Sequence, residues 1–116
     1  MHRFKDLEIW KLSRIFCKEV YEATATFPEA EKFGLVNQLR SASVSVPSNI
    51  AEGASRNSNK DFSRFLEIAI GSCYEIETQL LISNDLGYLP SKLMNVLLEK
   101  LTSIILMTSK LKSSLK

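Results

Sequence analysis

Four long stretches of this chain place apolar residues three and four positions apart, and only short punctuation separates them. That spacing lines apolar side chains along one face of an α-helix. The first stretch runs from about Leu7 to Thr26, with Asp6 as a candidate N-cap and Ile9, Leu12, Phe16, Val20 and Ala23 as its stripe. Phe27-Pro28 interrupts it, and Pro28 suits the first residue of a second helix starting near Glu29. Ser58, with Asp61 three residues later, resembles a capping box opening a third helix. Its stripe is Phe62, Phe65, Ala69, Cys73, Ile76, Leu80 and Ser83, and Gly87 is placed to end it. A fourth helix opens near Ser91 and carries Leu93, Leu97, Leu101, Ile104, Thr108, Leu111 and Leu115.

The second stretch is the ambiguous one. Leu35, Leu39, Ala42, Val46 and Ile50 keep a helical register, yet Ser41 to Val46 also alternates with period two, a strand signature. No other segment alternates, so a strand there would have no partner. The expectation is a helix kinked or broken near Pro47, which lacks a donor and crowds the preceding turn. Gly53 to Asn57 then reads as a connector.

The 116 residues contain only four glycines and three prolines, too few for a loop-rich β-sandwich. Similar helix lengths and short loops predict an all-α, antiparallel up-down-up-down four-helix bundle, with residues 1–116 as a single domain. The apolar faces are wider than one core needs: Ile9, Trp10, Leu12, Ile15 and Phe16 crowd helix one, and Ile104 to Met107 crowd helix four. Another copy of the chain is the simplest cover, so a homo-oligomer is expected. No apolar run reaches the length of a membrane span, and Met1 to Asp6 carries nothing like a secretory signal. The expected setting is the cytoplasm, without membrane association.

Most catalytic chemistry lacks its side chains. The single histidine, His2, lies at an end expected to fray, so no base stands ready for a Ser-His or Cys-His nucleophile. The same scarcity removes the Glu-x-x-His pairs of di-iron bundles and the arginine-to-histidine signature of HEPN-type ribonucleases. Cys17 and Cys73 have no metal-like spacing and read as small buried hydrophobes. The four glycines stand alone, so no phosphate loop forms. Glu75 and Glu77, two apart, splay around a helix and make a poor catalytic pair. No catalytic residue, cofactor or metal is expected.

Two polar groups remain. Arg40, Ser48, Asn49 and Glu52, with Ser45 nearby and Ser72, Glu75, Glu77 and Gln79 on the third helix, suit a structural polar cluster beside Pro47. Within it Arg40 is expected to pair with a third-helix carboxylate, and a ligand site is the other reading of the cluster. Arg40, Arg56, Lys60 and Arg64, with Lys110 and Lys112, are the candidate nucleic-acid contacts. The net charge of +2 is small, so such contact would be phosphate-led, shape-dependent and salt-sensitive.

Several blocks carry a resemblance. They are Phe4 to Trp10, Phe27-Pro28, Glu31 to Leu35 and Gln38-Leu39-Arg40, then Ser45-Val46-Pro47-Ser48-Asn49-Ile50-Ala51-Glu52-Gly53 with Arg56. Phe65-Leu66, Ala69, Gly71-Ser72, Glu75 to Leu80 and Leu86-Gly87-Tyr88 continue it. In these the chain resembles the bacterial four-helix-bundle proteins encoded in intervening sequences of 23S ribosomal RNA genes, some of them labelled ribosomal proteins. Ser41 stands where many relatives carry a second arginine. The resemblance implies an antiparallel bundle with Pro47 inside a long second helix, and a ring-like homo-oligomer, a pentamer. Related retroelement accessory proteins bind nucleic acid and a reverse transcriptase. This sequence resembles those accessory proteins less closely, and the leading expectation is a non-enzymatic homo-oligomer that contacts structured RNA through its modest basic surface. A scaffold or adaptor that binds another protein without touching nucleic acid is the alternative, and an enzyme is the weakest of the three.

Overall fold

A computed structural model describes residues 2–115 as four α-helices, with two short 3-10 turns at Phe4–Asp6 and Glu29–Glu31. The helices are α1 (Glu8–Thr24), α2 (Leu35–Ala54), α3 (Asn59–Asp85) and α4 (Ser91–Ser114), and no strand occurs among the described residues. Each helix packs on its sequence neighbours, and α1 closes against α4. Contacts between neighbours fix their opposite directions. Arg40 near the start of α2 meets Thr24 at the end of α1, and Gln38 and Ser45 of α2 meet Gln79 and Ser72 of α3. Lys112 of α4 meets Glu67 of α3, and Lys100 meets Glu19 of α1. The long axis of 43 Å matches α3, whose 27 residues span about 40 Å at the helical rise.

The expected stripes supply the core. Phe16 and Val20, Leu39 and Ile50, Phe62, Leu66, Ile76 and Leu80, and Leu97, Leu101 and Ile104 are all buried in one cluster. The fourth stripe is offset at its start: Leu93 is 38% exposed and Met94 packs inward instead.

Helix ends follow local chemistry. Ser58 Oγ accepts from Asp61 N at 3.1 Å, forming the N-terminal cap of α3. Gly87 takes φ +81°, Gly87 N donates to Asn84 O and Tyr88 N to Ser83 O, both at 2.9 Å. That bond pair is a Schellman stop, available cheaply only to a residue without Cβ.

Several expectations need correction. Asp6 does not cap α1; it lies in the 3-10 turn, and Leu7 is the N-cap without a side-chain bond. Pro28 leads into the Glu29–Glu31 turn, and α2 opens at Leu35 rather than near Glu29. Glu31 Oε1 accepts from Leu35 N at 3.2 Å, satisfying a free donor at that helix start. Its other oxygen accepts from the Tyr88 hydroxyl at 3.2 Å, and Tyr88 packs on Phe27, so the two loops at this end are joined. The Glu31 carboxylate holds the Tyr88 phenol above its usual pKa of 10.0. Gly53 is not loop: α2 runs unbroken through Pro47 to Ala54, and Gly53 is buried. The period-two alternation at Ser41–Val46 is helical, and its serines point different ways: Ser45 meets Ser72 of α3 at 2.9 Å, Ser43 meets Cys17 of α1 at 3.5 Å, and Ser41 is exposed. His2 makes contacts with the bundle: its N–H bonds to Ala54 O at 2.8 Å and its ring lies 5.0 Å from that of Phe62.

Candidate nucleic-acid interface

The antiparallel arrangement sorts the candidate cations by helix end. Arg56 follows α2, Lys60 and Arg64 lie in the first turns of α3, and Lys110 and Lys112 lie near the end of α4. Chain direction therefore brings five of the six to one end of the bundle. Lys60 and Arg64 line a surface depression of about 520 Å³ with Asp61, Glu67 and Leu115. Arg56 and Arg64 both lie over the Phe65 ring, at 4.9 and 5.1 Å from its centroid. Stacking of this kind holds guanidinium groups in place while leaving their edges toward solvent.

Carboxylates temper this end. Arg56 faces Glu52 at 3.8 Å, Arg64 faces Asp61 at 3.9 Å and Lys112 meets Glu67 at 2.8 Å. All are exposed or partly exposed pairs, worth little individually and screened by salt. Lys60 and Lys110 have no ion pair among the described residues.

Arg40 is at the opposite end and does something else. Its Nε donates to Thr24 Oγ1 at 2.9 Å and its Nη2 to Tyr21 O at 3.2 Å, while the guanidinium sits 4.6 Å from the Tyr21 ring centroid. The expected pairing with a third-helix carboxylate is thus replaced by a cation at the C-terminus of α1, where unsatisfied carbonyls carry partial negative charge. Thr24 and Tyr21 escaped the sequence reading, because hydrophobic periodicity carries no signal for a cap supplied by another helix.

The remaining polar positions divide into separate groups. Asn49 Nδ2 donates to Ser45 O at 2.8 Å and Ser45 Oγ at 2.9 Å, and Ser45 reaches Ser72. The carbonyl that Pro47 deprives of its usual donor is that of Ser43, so these bonds serve the α2–α3 contact instead. Glu75 accepts from Gln79 Nε2 at 3.2 Å, and Gln79 also donates to Gln38 Oε1 at 3.3 Å. Glu52 belongs with Arg56 at the cationic end. Ser48 is exposed and Glu77 half-buried, and neither side chain joins these groups.

Reactive groups do not converge. Cys73 is buried, and burial pushes its thiol up to about 12, leaving it protonated and inert at neutral pH. Cys17 is half-buried and accepts from Ser43 Oγ at 3.5 Å. No group of three or more His, Cys, Asp or Glu side chains suited to a metal ion occurs among the described residues. None of the described helices is long and apolar enough to cross a membrane.

Fold and surface together define a class: a four-helix bundle whose polar residues are spent on helix ends, one helix contact and a mildly cationic end. A family model described as "23S rRNA-intervening sequence protein" matches residues 5–110, and the chain belongs to that family. The chain is also similar to a crystal structure of a protein of unknown function from the S23 ribosomal protein family of Bacteroides thetaiotaomicron VPI-5482. The TM-score is 0.81 at 20% identity, over 90% of this chain and 97% of that one, a likeness of fold. No curated protein matches the chain significantly.

Proposed function

We propose that this chain is a non-enzymatic, homo-oligomeric bundle that offers its cationic end to structured RNA. The observation that supports this reading is the gathering of Arg56, Lys60 and Arg64 with Lys110 and Lys112 at one end of the bundle. Phosphates can replace the exposed carboxylate partners at 3.8 and 3.9 Å, because such pairs contribute little in water. Neutralising acids keep each copy a weak binder, so affinity is multiplied by presenting several copies together.

Binding of a structured RNA is measured from about 50 to 200 mM salt, where each phosphate contact contributes about 0.7–0.9 to the log–log slope. Replacing Arg56, Lys60 and Arg64 with Ala is expected to weaken binding across all sequences and reduce the slope by about 2–3. No binding at the lowest salt overturns the RNA reading. The scaffold reading then stands, and a specific observation favours it: large apolar side chains such as Ile15, Tyr74 and Leu106 are exposed on the single chain.

A further inference from the structure

The exposed residues of α3 recur at Ile68, Gly71, Glu75, Thr78, Ile82 and Asp85, steps of three and four that trace one outward stripe. Tyr74 (55% exposed) and Leu81 widen this stripe, and Leu86 extends it past the helix end. A side chain at Gly71 would meet nothing within 4 Å, so the middle of the stripe is open. Helices α2 and α4 cover the flanks of α3, and no part of the described chain covers this face. Its acids, Glu75 and Asp85, form no ion pair among the described residues.

Helix α1 has the complementary surface. Lys11, Arg14 and Lys18 lie along its outward side around Ile15 (56% exposed), and none forms an ion pair among the described residues. These four residues and Trp10 line a shallow depression of about 320 Å³, roomy enough for an aromatic side chain. Of the acids on α1, Glu8 and Glu22 stand at the two ends of this stretch, and Glu19 is paired with Lys100 of α4. Helices α1 and α3 do not pack on each other, since each lies between α2 and α4, so their outward faces point away from one another.

We propose that the outward stripe of α3 in one copy docks on the outward face of α1 in the next, placing Glu75 and Asp85 against Lys11, Arg14 and Lys18. This rests on the homo-oligomer of the proposed function and names its contact. The cover is a second copy because one chain carries both halves: exposed apolar side chains with two acids that form no ion pair, and a depression at Trp10 and Ile15 with three cations that form none among the described residues. A contact between two different faces is heterologous, so every copy can use both, and a closed ring satisfies all of them.

Molar mass of the full chain in solution, across concentration, tests this. The unaltered chain is expected as a discrete multimer. Ile82→Asp on α3 is expected to reduce it to single subunits, as is Lys11→Glu with Lys18→Glu on α1. The exposed charge changes leave the core intact, so they keep the test valid if Ile82→Asp disturbs folding. Adding Glu75→Lys and Asp85→Lys to the α1 charge reversal is expected to recover assembly, shifting the midpoint concentration at least tenfold toward that of the unaltered chain. A multimer indifferent to both sets of changes overturns the contact while leaving the homo-oligomer standing. An unaltered chain that stays monomeric at high concentration overturns both.

Discussion

The α2–α3 and α1–α4 seams of this bundle are built on opposite principles. Between α2 and α3 the contact is close and hydrogen-bonded: Ser45 meets Ser72, Gln38 meets Gln79, and Gly53 lies directly against Phe62 and Phe65. Between α1 and α4 it is made by bulky apolar side chains that do not close up. Leu12 and Phe16 face Ile104 and Met107 across a groove of about 440 Å³, with Ile15 at its outer rim and the Glu19–Lys100 ion pair beside it. A second opening of about 430 Å³ follows at Leu7 and Leu111, and a third of about 210 Å³ at Ala23 and Val96. Small residues let helix axes approach until backbones and rotamers interlock, whereas large ones hold the axes apart and leave gaps unless knobs meet holes. The tight seam should therefore resist opening and tolerate few substitutions, while the loose one opens first and accepts added bulk.

Gly53 is the severest place to break this contrast. A Cβ there would lie 2.7 Å from Phe65 Cβ and 2.9 Å from Phe62 Cδ1, closer than van der Waals contact allows. Phe65 Cβ is fixed to its own backbone, so relief requires α3 to move. Gly53→Val is expected to destabilise the fold by about 3 kcal/mol, even though leaving glycine improves helix propensity by a few tenths to 1 kcal/mol. A urea unfolding midpoint unchanged from that of the parent chain would show that the seam is looser than its geometry.

Gly53 also marks where the sequence stops being legible. Helical periodicity located all four rods, the Ser58 cap and the Gly87 stop, because those signals are local and written within a few residues. The same local logic placed Gly53 in a connector, since a glycine after Ala51-Glu52 looks like a helix end until Phe62 and Phe65 of α3 are known to press on it. Arg40 failed as a carboxylate partner for a related reason. Its target is the end of α1, sixteen residues earlier at Thr24, and a helix end exposes carbonyls without any acidic residue to betray it. The cationic end was half legible: charges were visible, but which of them share an end depends on helix direction, and that separates Arg40 from Arg56, Lys60 and Arg64.

The two seams can be compared with one kind of change. Ser72 is half-buried and hydrogen-bonded to Ser45, while Ser103 lines the open groove between α1 and α4. Ser72→Leu is expected to cost about 1–3 kcal/mol through overpacking, and it also removes one of Ser45's partners. Ser103→Leu inserts the same carbons into unfilled space on a helix that prefers leucine, so the expected effect is neutral or stabilising by up to about 0.5 kcal/mol. Thermal unfolding of the two variants side by side decides the comparison. Equal losses would mean the seams do not differ in packing.

Only a small loss should come from the polar guard of the loose seam. Lys100 pairs with Glu19, but the lysine side chain is 47% exposed and the glutamate 26%. Water screens most of the attraction, and holding two long side chains in one geometry opposes what remains. Lys100→Met keeps the aliphatic stem over the groove while removing the charge, so the expected loss is below about 1 kcal/mol and shrinks further in high salt. If it instead exceeds the loss from Ser72→Leu, the α1–α4 seam is held by charge rather than left open by poor fit, and the contrast between the two seams would have to be drawn in electrostatic terms.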